Sequence, residues 1–178
     1  MAFLDISLNF TKSNDWDLGA DLGASDTEYA PDVITLPGDT QSWDDFGAGQ
    51  DLVVAINVTE SFASSGDPTC QFEVGLATNN AGGSFYSLGL SRAFTKAQLT
   101  AQGDTGILNP AVANLFMIPI KPLDLDLDGT PNGKFISLRA VNAVSTAFTA
   151  GKVQAWLTMS KGTGVQNLKH FHESGFTV

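Results

Sequence analysis

At 178 residues the chain is long enough for one domain with a sizeable core, and 43% hydrophobic against 16% charged residues excludes a wholly disordered polymer. Nineteen Asp plus Glu against nine Lys plus Arg give a net charge of −10, so any contact with nucleic acid would begin in repulsion and none is expected. The single Cys70 excludes an internal disulfide, and nowhere do ~18 apolar residues run together as a membrane span.

The opening Met-Ala-Phe-Leu-Asp-Ile-Ser-Leu has neither the basic region nor the continuous apolar stretch of a signal peptide, so a soluble protein made in a cytoplasm is expected. Leu4, Ile6, Leu8 and Phe10 alternate with Asp5, Ser7 and Asn9, the period of a first strand. From Thr11 to Gln50 the pattern dissolves into Asp, Gly, Ser and Thr around the short run Val33-Ile-Thr-Leu36. This predicts one domain over 1–178 in which 11–50 is an extended arm or a long loop. Its single aromatics, Trp16, Tyr29, Trp43 and Phe46, are the kind of anchors a polar segment uses when it orders on a partner. The alternative is a surface loop whose aromatics tuck into the chain's own core.

Leu52, Val54, Ile56 and Val58 alternate with less apolar neighbours, and Cys70, Phe72, Val74 and Leu76 do the same after the turn-rich Ser64-Ser-Gly-Asp-Pro68. The two read as a hairpin, with Cys70 as a buried small hydrophobe. Phe85 to Leu90 is a short strand, Thr95-Lys-Ala-Gln98 fits a capping box opening a turn or two of helix, and Leu115 to Ile118 is a buried strand before Pro119. Phe135 to Val141 is apolar on both faces apart from Ser137 and Arg139, as a central strand would be. Val153, Ala155, Leu157 and Met159 alternate with Gln154, Trp156 and Thr158, and the small, polar 142–151 between these two runs suits a second hairpin. Short strands separated by Gly, Pro and Asn turns predict an all-β chain, an antiparallel β-sandwich of jelly-roll-like form.

Asp124, Asp126, Asp128 and Gly129 match the opening of a calcium loop, in which alternate carboxylates converge on a hard cation. The twelfth position, where a bidentate Glu belongs, is Phe135. An edge strand with Leu123, Leu125 and Leu127 inward and the carboxylates in water therefore accounts for the run better, and no metal or other cofactor is expected. His170 and His172 are the two histidines, near the C-terminal end, and read as surface residues. No Gly-x-Ser-x-Gly elbow, phosphate loop or dinucleotide fingerprint is present, so no catalytic residue is assigned and the chain is not expected to be an enzyme.

The strand Phe135-Ile-Ser-Leu-Arg139, the approach Thr149-Ala-Gly151, the strand Lys152-Val-Gln-Ala-Trp-Leu-Thr-Met159 and the ending Ser174-Gly-Phe-Thr-Val178 resemble the C-terminal signature of tailed-bacteriophage capsid cement, or head decoration, proteins. The order of the preceding elements is similar too: a first strand and irregular segment, Leu52 to Val58, Cys70 to Thr78, and Thr95 to Leu99. The long polar stretch before Asp51 and the Asp-rich 124–128 depart from it. The resemblance implies a structural protein made in the host bacterial cytoplasm and carried on the outer capsid surface of the virion. There it would bind the major capsid protein as a homo-oligomer, a trimer in preference to a dimer, without touching nucleic acid or membrane. The alternative is a carbohydrate-binding or tail-associated β-sandwich, using exposed Trp and Tyr to stack on sugar rings.

Overall fold

In the computed structural model, residues 9–11, 15–35, 51–78, 83–101, 115–120 and 135–160 are described. In chain order they form β1 (Trp16–Asp17), α1 (Leu18–Asp21), β2 (Asp26–Tyr29), β3 (Ile34–Thr35), β4 (Asp51–Ala63) and β5 (Thr69–Ala77), then β6 (Tyr86–Leu90), β7 (Phe94–Thr95), β8 (Leu115–Pro119), β9 (Phe135–Asn142) and β10 (Ala150–Ser160). All the pairings are antiparallel. Sheet A has the order β1-β10-β4-β8. Sheet B has the order β2-β9-β5-β6, with β3 continuing along β9 and β7 along β5. The result is an all-β fold of two antiparallel sheets in a sandwich.

The alternation legible in the sequence is what fills the space between the sheets. Cys70, Phe72, Val74 and Leu76 from β5, Ile136, Leu138 and Ala140 from β9, Val54, Ile56 and Val58 from β4, and Val153, Ala155 and Leu157 from β10 form one core. Phe72 is its hub: its ring meets Trp16 edge-on at 6.3 Å and Phe116 at 5.6 Å. Burying side chains of this size stabilises the fold by about 1.5–3 kcal/mol each, before entropy is counted. Cys70 belongs to this core, and burial pushes its thiol pKa far up, which leaves it an inert apolar filler.

Counting β2 with β3 and β6 with β7 as one interrupted edge each, the strands nest. The first pairs with the last (β1 with β10), the second with the seventh (β2 and β3 with β9), the third with the sixth (β4 with β8), and the fourth with the fifth (β5 with β6 and β7).

Neither expected hairpin forms. β4 lies in sheet A and β5 in sheet B; β9 lies in sheet B and β10 in sheet A. Residues 64–68 and 143–149 are crossings between sheets, and they brace one another. Ser64 Oγ donates to Ala147 O at 2.7 Å, and Thr149 N donates to Ala63 O at 2.8 Å. Asn142, buried at the end of β9, donates from Nδ2 to Gly23 O at 2.9 Å and Thr146 O at 2.7 Å, while its Oδ1 accepts from Val144 N. Lys96 Nζ donates to the carbonyls of Ser64 and Gly66 and pairs with Asp67, which fixes the other crossing.

Within the irregular N-terminal stretch, expected as an arm or a long loop, residues 15–35 belong to the sandwich. Asp17 caps α1 by accepting from Ala20 N at 3.1 Å, Leu18 and Leu22 are buried, and β2 and β3 both pair with β9. Polar composition concealed this because Trp16, Leu18 and Leu22 each stand singly among polar or glycine neighbours and yet are buried. Residues 36–50 lie outside the described residues, as do most of the expected first strand, the Asp-rich run and the tail. Phe10, from that first strand, is fully buried and its N–H donates to Ala155 O at 2.9 Å. The capping box at Thr95 forms, with Thr95 N donating to Gln98 Oε1 at 3.1 Å, but it closes a single turn, and among the described residues up to 101 no helix follows.

Candidate functional site

The outer face of sheet B carries a row of side chains set by cross-strand register. Tyr29 on β2 faces Arg139 on β9, Arg139 faces Glu73 on β5, and Glu73 faces Leu90 on β6. Arg139 Nε and Nη2 lie 2.7 and 2.6 Å from Glu73 Oε2, Nη1 is 3.5 Å from the Tyr29 hydroxyl, and the guanidinium sits 4.1 Å over the Phe85 ring. Phe85 in turn meets Tyr29 edge-on at 6.1 Å and covers Gly75, where a Cβ would run into the ring. Burial works against the charge on Arg139, yet the hydrogen bonds to Tyr29 and Glu73 and the Glu73 charge outweigh it and raise its pKa. A partly buried cation held by a carboxylate and an aromatic face is a rigid patch suited to contact. Beside it Ser137 is fully buried, and its hydroxyl has no hydrogen-bond partner.

The edges of the two sheets differ in how they are guarded. On β2, Thr27 N donates to Asp26 Oδ1 at 2.8 Å and Tyr29 N to the Glu28 carboxylate, so acidic side chains occupy backbone donors. On β8, Pro119 ends the strand. β6 carries no charge and no Pro, and Tyr86 and Leu90 stand 43% and 54% exposed, the large hydrophobics most open to solvent among the described residues. Exposed Arg92 follows directly, its guanidinium 4.8 Å over the Phe94 ring. At the β1 edge of sheet A, Asp15 accepts from Thr59 Oγ1 at 2.6 Å and Gln154 Nε2 at 2.7 Å, while Lys152 Nζ lies 2.9 Å from Glu60 and 3.7 Å from Asp17.

Of the four expected partner anchors, Tyr29 lies on the outer patch. Trp16 does not: it is 3% exposed, in the core against Phe72, and pairs with Val153. A side chain already buried in its own sandwich has no face left for a partner, which corrects its assignment. Trp43 and Phe46 lie outside the described residues, as do Asp124, Asp126, Asp128, His170 and His172. Trp156 sits half-buried on the outer face of sheet A, opposite Ala55. Among the described residues no three His, Cys, Asp or Glu gather to hold a metal ion. The sequence reading missed Glu73, Phe85, Leu90 and Arg92. Arg139, the one charge in an apolar strand, signalled that a partner was needed, but Glu73 is 66 residues away and nothing local names it.

The fold and this patch define a β-sandwich structural module. No protein-family model matches the chain, and no curated protein matches it significantly.

Proposed function

We propose that the chain is a non-enzymatic decoration protein. It binds the outer surface of a tailed-phage head through the major capsid protein and reinforces the mature shell. The observation that carries this reading is the nested strand order, first with last through fourth with fifth, in sheets 1-8-3-6 and 2-7-4-5. We read that order as a jelly roll's, an architecture that recurs in viral capsid proteins and also in lectins. Fold alone does not choose among those uses, so the C-terminal signature at 135–159 and 174–178 directs the choice towards the head.

On this reading the protein is made in the host cytoplasm, resides on the virion, and acts as a homo-oligomer, with a trimer favoured over a dimer. Several copies engaging neighbouring shell subunits gain effective concentration at each contact, so each single contact can be small. The net charge of −10 suits a surface that must bind neither nucleic acid nor unrelated copies of itself. A sugar-binding role is supported less well, since the buried Trp16 cannot stack on a sugar ring.

The test is co-sedimentation of the purified protein with expanded heads that lack it, followed by heating. Binding to expanded heads, weaker binding to unexpanded proheads and a raised temperature of head disruption are expected. Equal binding to both forms, or none, would overturn the decoration role.

A further inference from the structure

We propose that the β6 edge of sheet B, together with Arg92, receives an extended, carboxylate-bearing segment of the shell protein as an added strand. The proposal deepens the decoration reading by naming the contact. Ser91 N donates to Phe72 O at 2.9 Å, and Leu90 is the next residue back along the strand. Antiparallel alternation therefore turns the N–H and C=O of Leu90 away from β5. An edge of this kind, uncharged and flanked by exposed apolar side chains, is a template for strand addition. The other edges are less open: carboxylates occupy donors on β2, and Pro119 ends β8.

Charge selects the occupant. Among the described residues Lys96 pairs with Asp67, Arg139 with Glu73, and Lys152 with Asp17 and Glu60, whereas exposed Arg92 has only the Phe94 ring. In a chain of net charge −10, Arg92 is the cation that, among the described residues, is left to draw a carboxylate, and it does so at this end of β6. Leu90, opposite Glu73 on the outer face, and Tyr86, opposite Leu76 on the other face, supply apolar surface to the two faces of the added strand. A second copy is a poorer occupant. Two antiparallel β6 edges would bring no carboxylate to Arg92, because β6 carries none.

The experiment titrates the full-length, isotopically labelled protein with two peptides, acetyl-Thr-Val-Thr-Val-Glu-Thr-amide and the same peptide with Lys in place of Glu. Amide shifts confined to Ser87, Leu90 and Arg92 are expected. At low salt the Glu peptide should bind about tenfold more tightly than the Lys peptide, with the preference reversed in Arg92→Glu and retained in Arg92→Lys. Leu90→Pro, which removes the outward donor, should abolish binding; Leu90→Asp, which repels the Glu peptide and removes the apolar side chain, serves in its place if melting shows that the proline variant does not fold. Shifts elsewhere, equal affinity for the two peptides, or an Arg92→Glu variant with unchanged preference would overturn the proposal. So would self-association of the wild type that Leu90→Pro removes, because the edge would then hold a second copy. Heads bind the variants more weakly if the proposal holds. Heads that bind wild type and variants alike overturn it while leaving the decoration role intact, and heads that bind neither overturn that role while the peptides still decide this one.

Discussion

Trp16 is surrounded by its own fold, so its indole contributes to stability in every state of assembly. Trp16→Ala removes a large buried ring beside Phe72 and should cost about 3–5 kcal/mol, a fall in melting temperature of roughly 10 °C, measurable in the isolated protein by calorimetry. Glu28 works in the opposite sense. Its carboxyl is held above its ordinary pKa, first by burial and then by Asp21, with the Tyr29 N–H partly offsetting both. A raised carboxyl pKa favours the protonated group in the fold. Its stabilising contribution is therefore complete below the unfolded carboxylate range and lost as pH rises through the folded value. Glu28→Gln should melt higher than wild type at pH 7 and equal to it below about pH 4. A pair of melting curves at the two pH values checks this.

The crossing into β10 depends on a bulge. Its register against β4 shifts between Ala150 and Lys152, where Gly151 has φ +141° and where a Cβ would lie 2.6 Å from Phe62 Cγ. Gly151→Ala meets both the backbone strain and the ring, and should cost about 1–3 kcal/mol. Urea unfolding should show a lower midpoint with an unchanged slope. At this scale the sequence was legible in part. A period of two marks which face of 52–58, 70–76 and 153–157 is buried, and those faces are the core. It does not mark a neighbour: 64–68 and 143–149 are long enough either to turn back within a sheet or to cross to the other one. Their crossing is settled by Asn142 bonding to Gly23 O, Ser64 to Ala147 O and Lys96 to Ser64 O, carbonyls that no local window contains. The candidate patch was less legible still, because Tyr29, Glu73 and Arg139 come from separate strands brought together only by register, and Phe85 joins them from the loop before β6.

At the scale of the whole molecule, the nested pairing sets early strands against late ones, and contacts of such long sequence separation make folding slow. β10 lies between β1 and β4, so sheet A stays divided until the last of the described strands has been synthesised. A ribosome needs on the order of 5–20 seconds to travel from the end of β4 to the start of β10. Throughout that interval Val54, Ile56 and Val58 have no neighbour on one side. The nascent chain is therefore a client for whatever shields apolar strands at the tunnel exit, and the yield of folded protein in a cell depends on that shelter as well as on the stability of the finished sandwich.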